Sequence, residues 1–102
     1  MATFTKTILS GSTDGKAVKV AATATAGTLI HEGSATATTL DEIWLYAVNT
    51  SASNVKLTIE WGEADAPDGN IEVTVLAEAG LVSITPGLLI KGNATELEVR
   101  AF

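Results

Sequence analysis

The chain has 102 residues, with twelve Asp plus Glu against six Lys plus Arg and a formal charge of -6, so it is one domain and is repelled by phosphate backbones and anionic lipid headgroups. It has no Cys and a single His, His31, which excludes disulfides and thiolate metal sites, restricts any catalytic triad to that one imidazole, and makes an all-protein zinc site hard to build. A domain of this size buries roughly 64% of the surface its unfolded form exposes; with only 18% charged residues and a mean hydropathy of +0.30 it lacks the ions that usually cover a small monomer, and the surplus apolar surface points to assembly.

Eight runs carry strand patterning. The first, 3–9, is Thr-rich and reads as a strand or as part of an extended N-terminal arm over 1–10. Runs 16–22 and 27–32 follow, separated by alternating Ala and Thr that read as a low-complexity connection, as does 35–39. The fourth run, 42–49, is unusual: Ile43, Leu45 and Ala47 share one face while Trp44, Tyr46 and Val48 fill the other. A strand apolar on both sides is either central in its sheet, the commoner reading, or has its second face covered by another chain.

Firm period-two alternation marks the next two runs. Val55, Leu57, Ile59 and Trp61 oppose Lys56, Thr58 and Glu60, and Ile71, Val73 and Val75 oppose Glu72 and Thr74. Run 81–90 is interrupted at Pro86 and Gly87, a pair expected to bulge an edge strand because proline lacks the ladder amide and glycine tolerates positive φ. The last run, 97–101, alternates Leu97, Val99 and Ala101 with Glu98 and Arg100. Turn chemistry at Asp14-Gly15, 49–54, Asp68-Gly69, Ala79-Gly80 and Gly92-Asn93 separates these runs. No amphipathic helix is expected; 34–40 is too short and too rich in Thr. The spacing predicts one all-β domain over 1–102, an antiparallel β-sandwich or jelly roll, or a small β-barrel, of about eight strands.

Candidate chemistry is sparse. The loop 62–70 offers Glu63, Asp65, Asp68 and Asn70 as oxygen ligands for calcium, yet it lacks the EF-hand ligand order and flanking helices, and a plain turn explains Pro67 to Asn70. Asp41 and Glu42 precede a strand, and Glu60, Glu72, Glu96 and Glu98 fall on polar faces expected to be solvated, so no acid pair suited to glycosidic chemistry is nominated. No nucleophile, base and orienting group can be named together; the chain is expected not to be an enzyme and to need no cofactor. His31 reads as a surface or hydrogen-bonded residue more readily than as a pH switch. Trp44, Tyr46 and Trp61 read as core packing before they read as a platform for bases or sugars. Asn49-Thr50-Ser51 and Asn93-Ala94-Thr95 match the glycosylation acceptor pattern, but without a basic n-region and apolar core at the start, or any eighteen-residue apolar run, neither export nor a membrane span is expected.

Four segments in combination carry a resemblance: LDEIWLYAVN at 40–49, VKLTIEWG at 55–62, GLVSITPGL at 80–88 and VRAF at 99–102. Over about the last sixty residues the chain resembles the capsid decoration, or cement, proteins of tailed bacteriophages, in particular those of marine siphophages of the roseophage type. The resemblance implies a non-enzymatic virion structural protein, made in the bacterial host cytoplasm. It would sit on the outer capsid surface as homotrimers and clamp neighbouring major capsid proteins. The interface residues nominated on this view are Phe4 and Ile8 from the arm, Trp44 and Tyr46 from the doubly apolar strand, and Phe102 as a large apolar terminus on the polar-side parity of its strand. The alternative is a receptor- or glycan-binding module of a head fibre or tail, with Trp61 and the 63–70 loop as its patch.

Overall fold

The computed structural model describes residues 5–93 and 97–102. It is all-β, with six strands: β1 (Thr28–Glu32), β2 (Leu40–Ala47), β3 (Val55–Trp61), β4 (Asn70–Val75), β5 (Val82–Lys91) and β6 (Glu98–Ala101). All pairings are antiparallel. A four-stranded sheet runs β1-β6-β3-β4, and a second sheet contains only β2 and β5. This arrangement is compatible with a β-sandwich.

Six of the eight expected runs form strands; of the run 3–9, residues 3 and 4 lie outside the described residues. Residues 5–9 and 16–22 carry no strand pairing. In the second of these, the amides of Ala21 and Ala22 donate to the side-chain oxygen of Thr28 at 3.3 and 3.2 Å instead of entering a ladder. Val18 packs against the core while Val20, which strand alternation would place on the same face, stays exposed, so the segment does not keep a strand's period. Of residues 5–9, Leu9 alone reaches the core. The chain just after it lies along the outer edge of β1, where Gly11 N–H donates to the Ile30 carbonyl at 2.9 Å and Glu32 N–H to Ser10 Oγ at 2.6 Å. That covers an edge which would otherwise present unpaired backbone groups.

The core forms where the inward parities of the two sheets meet. Ile30, Ile43, Leu45, Ile59, Ile90, Val99 and Ala101 make one cluster, with Leu57, Trp61, Ile71, Ile84 and Leu97 packed around it. Each buried aliphatic side chain contributes about 1.5–3 kcal/mol through removal from water. The 33–39 connection is strapped to the chain after β5 by Gly92 N–H to the Thr39 carbonyl and Asn93 N–H to the Ser34 carbonyl, at 2.7 and 2.9 Å.

Turn chemistry is realised where the sequence places it. Asp14 and Gly15 both have positive φ, 55° and 80°, and Lys16 N–H closes the turn on the Thr13 carbonyl at 2.9 Å, the pattern of a mirror-image turn. Asn49 organises the 49–54 connection: its Nδ2 donates to the carbonyls of Ser53 and Val75 at 2.8 and 3.0 Å, and its Oδ1 accepts from Ser51 N–H and Oγ. A buried amide nitrogen so engaged is not a glycosylation acceptor. In the second triplet, Ala94 and Thr95 lie outside the described residues.

β5 carries the expected bulge. Ile43 pairs with Leu88 and Trp44 with Pro86, leaving Gly87 as the extra residue with φ 85°. A second shift leaves Ile84 extra, between Thr85 paired to Leu45 and Ser83 paired to Tyr46.

Candidate functional site

β2 is not the central strand that its two apolar faces suggest. Among the described residues it pairs with β5 alone. Its inner face, Ile43 and Leu45, enters the core, while Trp44 and Tyr46 on the outer face are 53% and 52% exposed. Core packing therefore fails for these two aromatics and holds for Trp61, which packs against the core cluster. Leu40 and Val48 continue the outer row, and Leu89, paired opposite Glu42, adds to it from β5. Leu40, Trp44, Tyr46, Val48 and Leu89 are each more than half exposed on this face, and a contiguous exposed apolar patch on a small domain is often functional.

Trp44 is held in place before any partner arrives. Its Nε1–H donates to Glu42 Oε1 at 3.2 Å, and a Cβ placed on Gly87 would lie 3.2 Å from the indole and 2.7 Å from that same carboxylate oxygen. The bulge glycine thus makes the space in which the indole and the Glu42 carboxylate sit. Gly87→Ala should lower stability by about 1–2 kcal/mol, the cost of a non-glycine residue in the left-handed region, and should also displace the indole. Thermal melting together with Trp emission in a Trp61→Phe background checks both effects.

The remaining nominated residues do not join this face as one site. Phe4 lies outside the described residues. Ile8 is exposed and sits beside the 13–16 turn, where a Cβ on Gly15 would meet its Cγ2 at 3.3 Å. Phe102 is half-buried and extends the β3–β6 ladder, its N–H and carbonyl exchanging 2.9 Å bonds with Thr58. Sequence reasoning missed Leu40 and Leu89 as companions of Trp44; the two bulges in β5 hide which of its residues face outward.

His31 joins three parts of the chain. Ser10 N–H donates to Nδ1 at 3.1 Å, which leaves Nε2 as the donor to Asp41 Oδ2 at 2.9 Å. That tautomer links the N-terminal segment, β1 and β2. The 62–70 loop is a plain turn: Trp61 N–H bonds to the Gly69 carbonyl, Gly69 N–H to Asp65 and Asn70 N–H to Pro67. Glu63, Asp65 and Asp68 are exposed, and among the described residues no group of three or more His, Asp or Glu side chains is disposed to hold a metal.

Glu60 departs from the solvated position expected of it. Glu72 and Lys56 on the same face are exposed and paired at 2.6 Å, but Thr58 and Glu60 are each only 2% exposed. The chain leading into β1 covers Glu60, and Gly27 N–H donates to its Oε1 at 2.7 Å. Its Oε2 is buried with no hydrogen-bond partner, a deficit that costs about 1–3 kcal/mol or more for a charged group. Alternation marks the face of Glu60 but not what crosses over it, so nothing in β3 itself signals this burial.

No helix among the described residues is long and apolar enough to cross a membrane. No protein-family model, curated protein or solved structure matches this chain.

Proposed function

We propose that this chain is a virion structural protein that decorates the outer surface of a phage capsid as a homotrimer and stabilises contacts between major capsid proteins, without catalysing a reaction. The observation that carries this reading is the outer face of the two-stranded sheet, where a half-exposed Trp44 and Tyr46 stand in an apolar row on a sheet with no third strand among the described residues. Desolvated aromatics near the centre of an interface supply most of its binding energy. The total exposed surface, 6807 Å², exceeds the roughly 5400 Å² of a compact monomer of this mass, consistent with a subunit that completes its burial by docking. An acidic domain suits the exterior of a capsid better than its DNA-lined interior.

The fuller strand count belongs to the docked state in this reading. Runs 3–9 and 16–22 acquire strand pairing there, the former by adding to a free sheet edge of the capsid lattice, which gives a jelly-roll-like domain of about eight strands. Stabilisation is by mass action: a protein that binds only the assembled lattice raises the free energy of breaking it, and many copies multiply a modest contact. Light scattering at micromolar concentration should give the mass of a trimer, and particles lacking the protein should release DNA at lower temperature than decorated ones. A monomer that leaves particle stability unchanged overturns the proposal. The glycan-binding alternative loses its anchor, because Trp61 packs against the core instead of standing beside the 63–70 loop as a free platform.

A further inference from the structure

On the face of the four-stranded sheet opposite the core, β3 and the loop after it, β6 and the chain entering β1 border a half-open cleft of about 300 Å³ with Glu60 in its lining. This volume is at the small end of ligand pockets and far beyond the roughly 30 Å³ that one water occupies. The residue is 2% exposed, its Oε1 is bound by Gly27 N–H, and its Oε2 is buried without a donor. Arg100 is the cross-strand neighbour of Glu60 and would be the expected partner. Instead its guanidinium is committed elsewhere, with Nη1 donating to the Gly27 carbonyl at 2.8 Å and Nε and Nη2 to the Glu98 carboxylate at 3.3 and 3.1 Å. Glu63 also lines the cleft, as do Glu98 and Arg100, which neutralise each other as an ion pair, so Glu60 and Glu63 are the carboxylates there with no basic partner among the described residues, while Leu97 and Ala64 supply apolar wall.

The geometry points to a binding site for a primary alkylammonium group, whose N–H donors satisfy Glu60 Oε2 once a rotation of the carboxylate brings that oxygen to the cleft surface, while its methylene stem lies against Leu97 and Ala64. A charge-assisted hydrogen bond to a buried carboxylate is among the stronger polar contacts, and the net negative charge of the lining favours a cation over a neutral donor. Either a lysine side chain of a docking protein or a free small amine carries this chemistry. The site is separate from the β2–β5 face and does not depend on the virion reading.

The test is an amide-resolved NMR titration of the full chain with n-butylammonium, with Nα-acetyl-lysine methylamide, and with tetramethylammonium at matched ionic strength. Saturable shifts centred on the amides of Gly27, Glu60 and Gly62 with the first two probes, and none with tetramethylammonium, which has no N–H, support the site. Tighter binding of the lysine derivative assigns it to a protein partner, and equal binding assigns it to free amines. Glu60→Gln, which keeps an acceptor for Gly27 and removes the charge, should weaken binding by about tenfold or more. Ala64→Phe, a substitution at an exposed loop position, should block the cavity and serves as the deciding variant if Glu60→Gln fails to fold. The inference is overturned by absent saturation, by equal shifts with tetramethylammonium, or by affinity that survives the blocking variant.

Discussion

Replacing both outer-face aromatics, Trp44→Ser with Tyr46→Ser, should abolish trimer formation and capsid binding at micromolar concentration while the melting temperature of the subunit changes little. Central aromatic anchors typically cost about 2 kcal/mol or more each when truncated, so a double truncation worth about 4 kcal/mol weakens association roughly a thousandfold. Within the subunit the same side chains are about half exposed. What they lose on replacement is the Trp44 bond to Glu42 and its contact over the β5 bulge, an effect of about 1 kcal/mol for a neighbour-poor site. Co-sedimentation with expanded particles, light scattering and a melting curve separate the two quantities. Association that survives the double variant would place the docking surface elsewhere, whereas a collapsed melting curve would make Trp44 and Tyr46 part of the fold.

The β2–β5 face shows how far alternation alone reaches. It identifies β2 as apolar on both sides, but the difference between a central strand and a docking strand depends on how many neighbours the strand acquires. Residues 5–9 and 16–22 supply no such neighbour: they carry no strand pairing, and the amides of Ala21 and Ala22 go to Thr28 at the start of β1 instead of to a ladder. Local patterning contains the strands β1 to β6 and the Pro86-Gly87 bulge because each is set by neighbours two residues away. It does not contain the two-sheet division, or the burial of Glu60 beneath a segment more than thirty positions earlier in the chain. Thr58 and Glu60 belong to the same row as the solvated Lys56, so the sheet face changes character midway along one strand, which a period-two reading cannot register.

The second large effect lies in the core. Ile59 is 3% exposed, belongs to the central cluster, and pairs with Ile71 on one side and Ala101 on the other, so Ile59→Ala removes buried methylenes from between two partner strands. Substitutions of this kind cost about 2–5 kcal/mol out of the roughly 5–15 kcal/mol that a domain possesses. At about 4–8 °C per kcal/mol for a chain near this length, the melting temperature should fall by at least about 8 °C. Leu40→Ala, at a side chain 60% exposed, is the matched control and should move it by no more than a few degrees. The docking face and the core then become separable thermodynamically: capsid lattice at a hundredfold excess over its dissociation constant should return about 2.7 kcal/mol to the Ile59→Ala protein through mass action, and none to a protein that also lacks Trp44 and Tyr46. Full recovery in that triple variant would mean the lattice holds the subunit through other residues; no recovery in the single variant would mean that lattice binding does not select the folded domain.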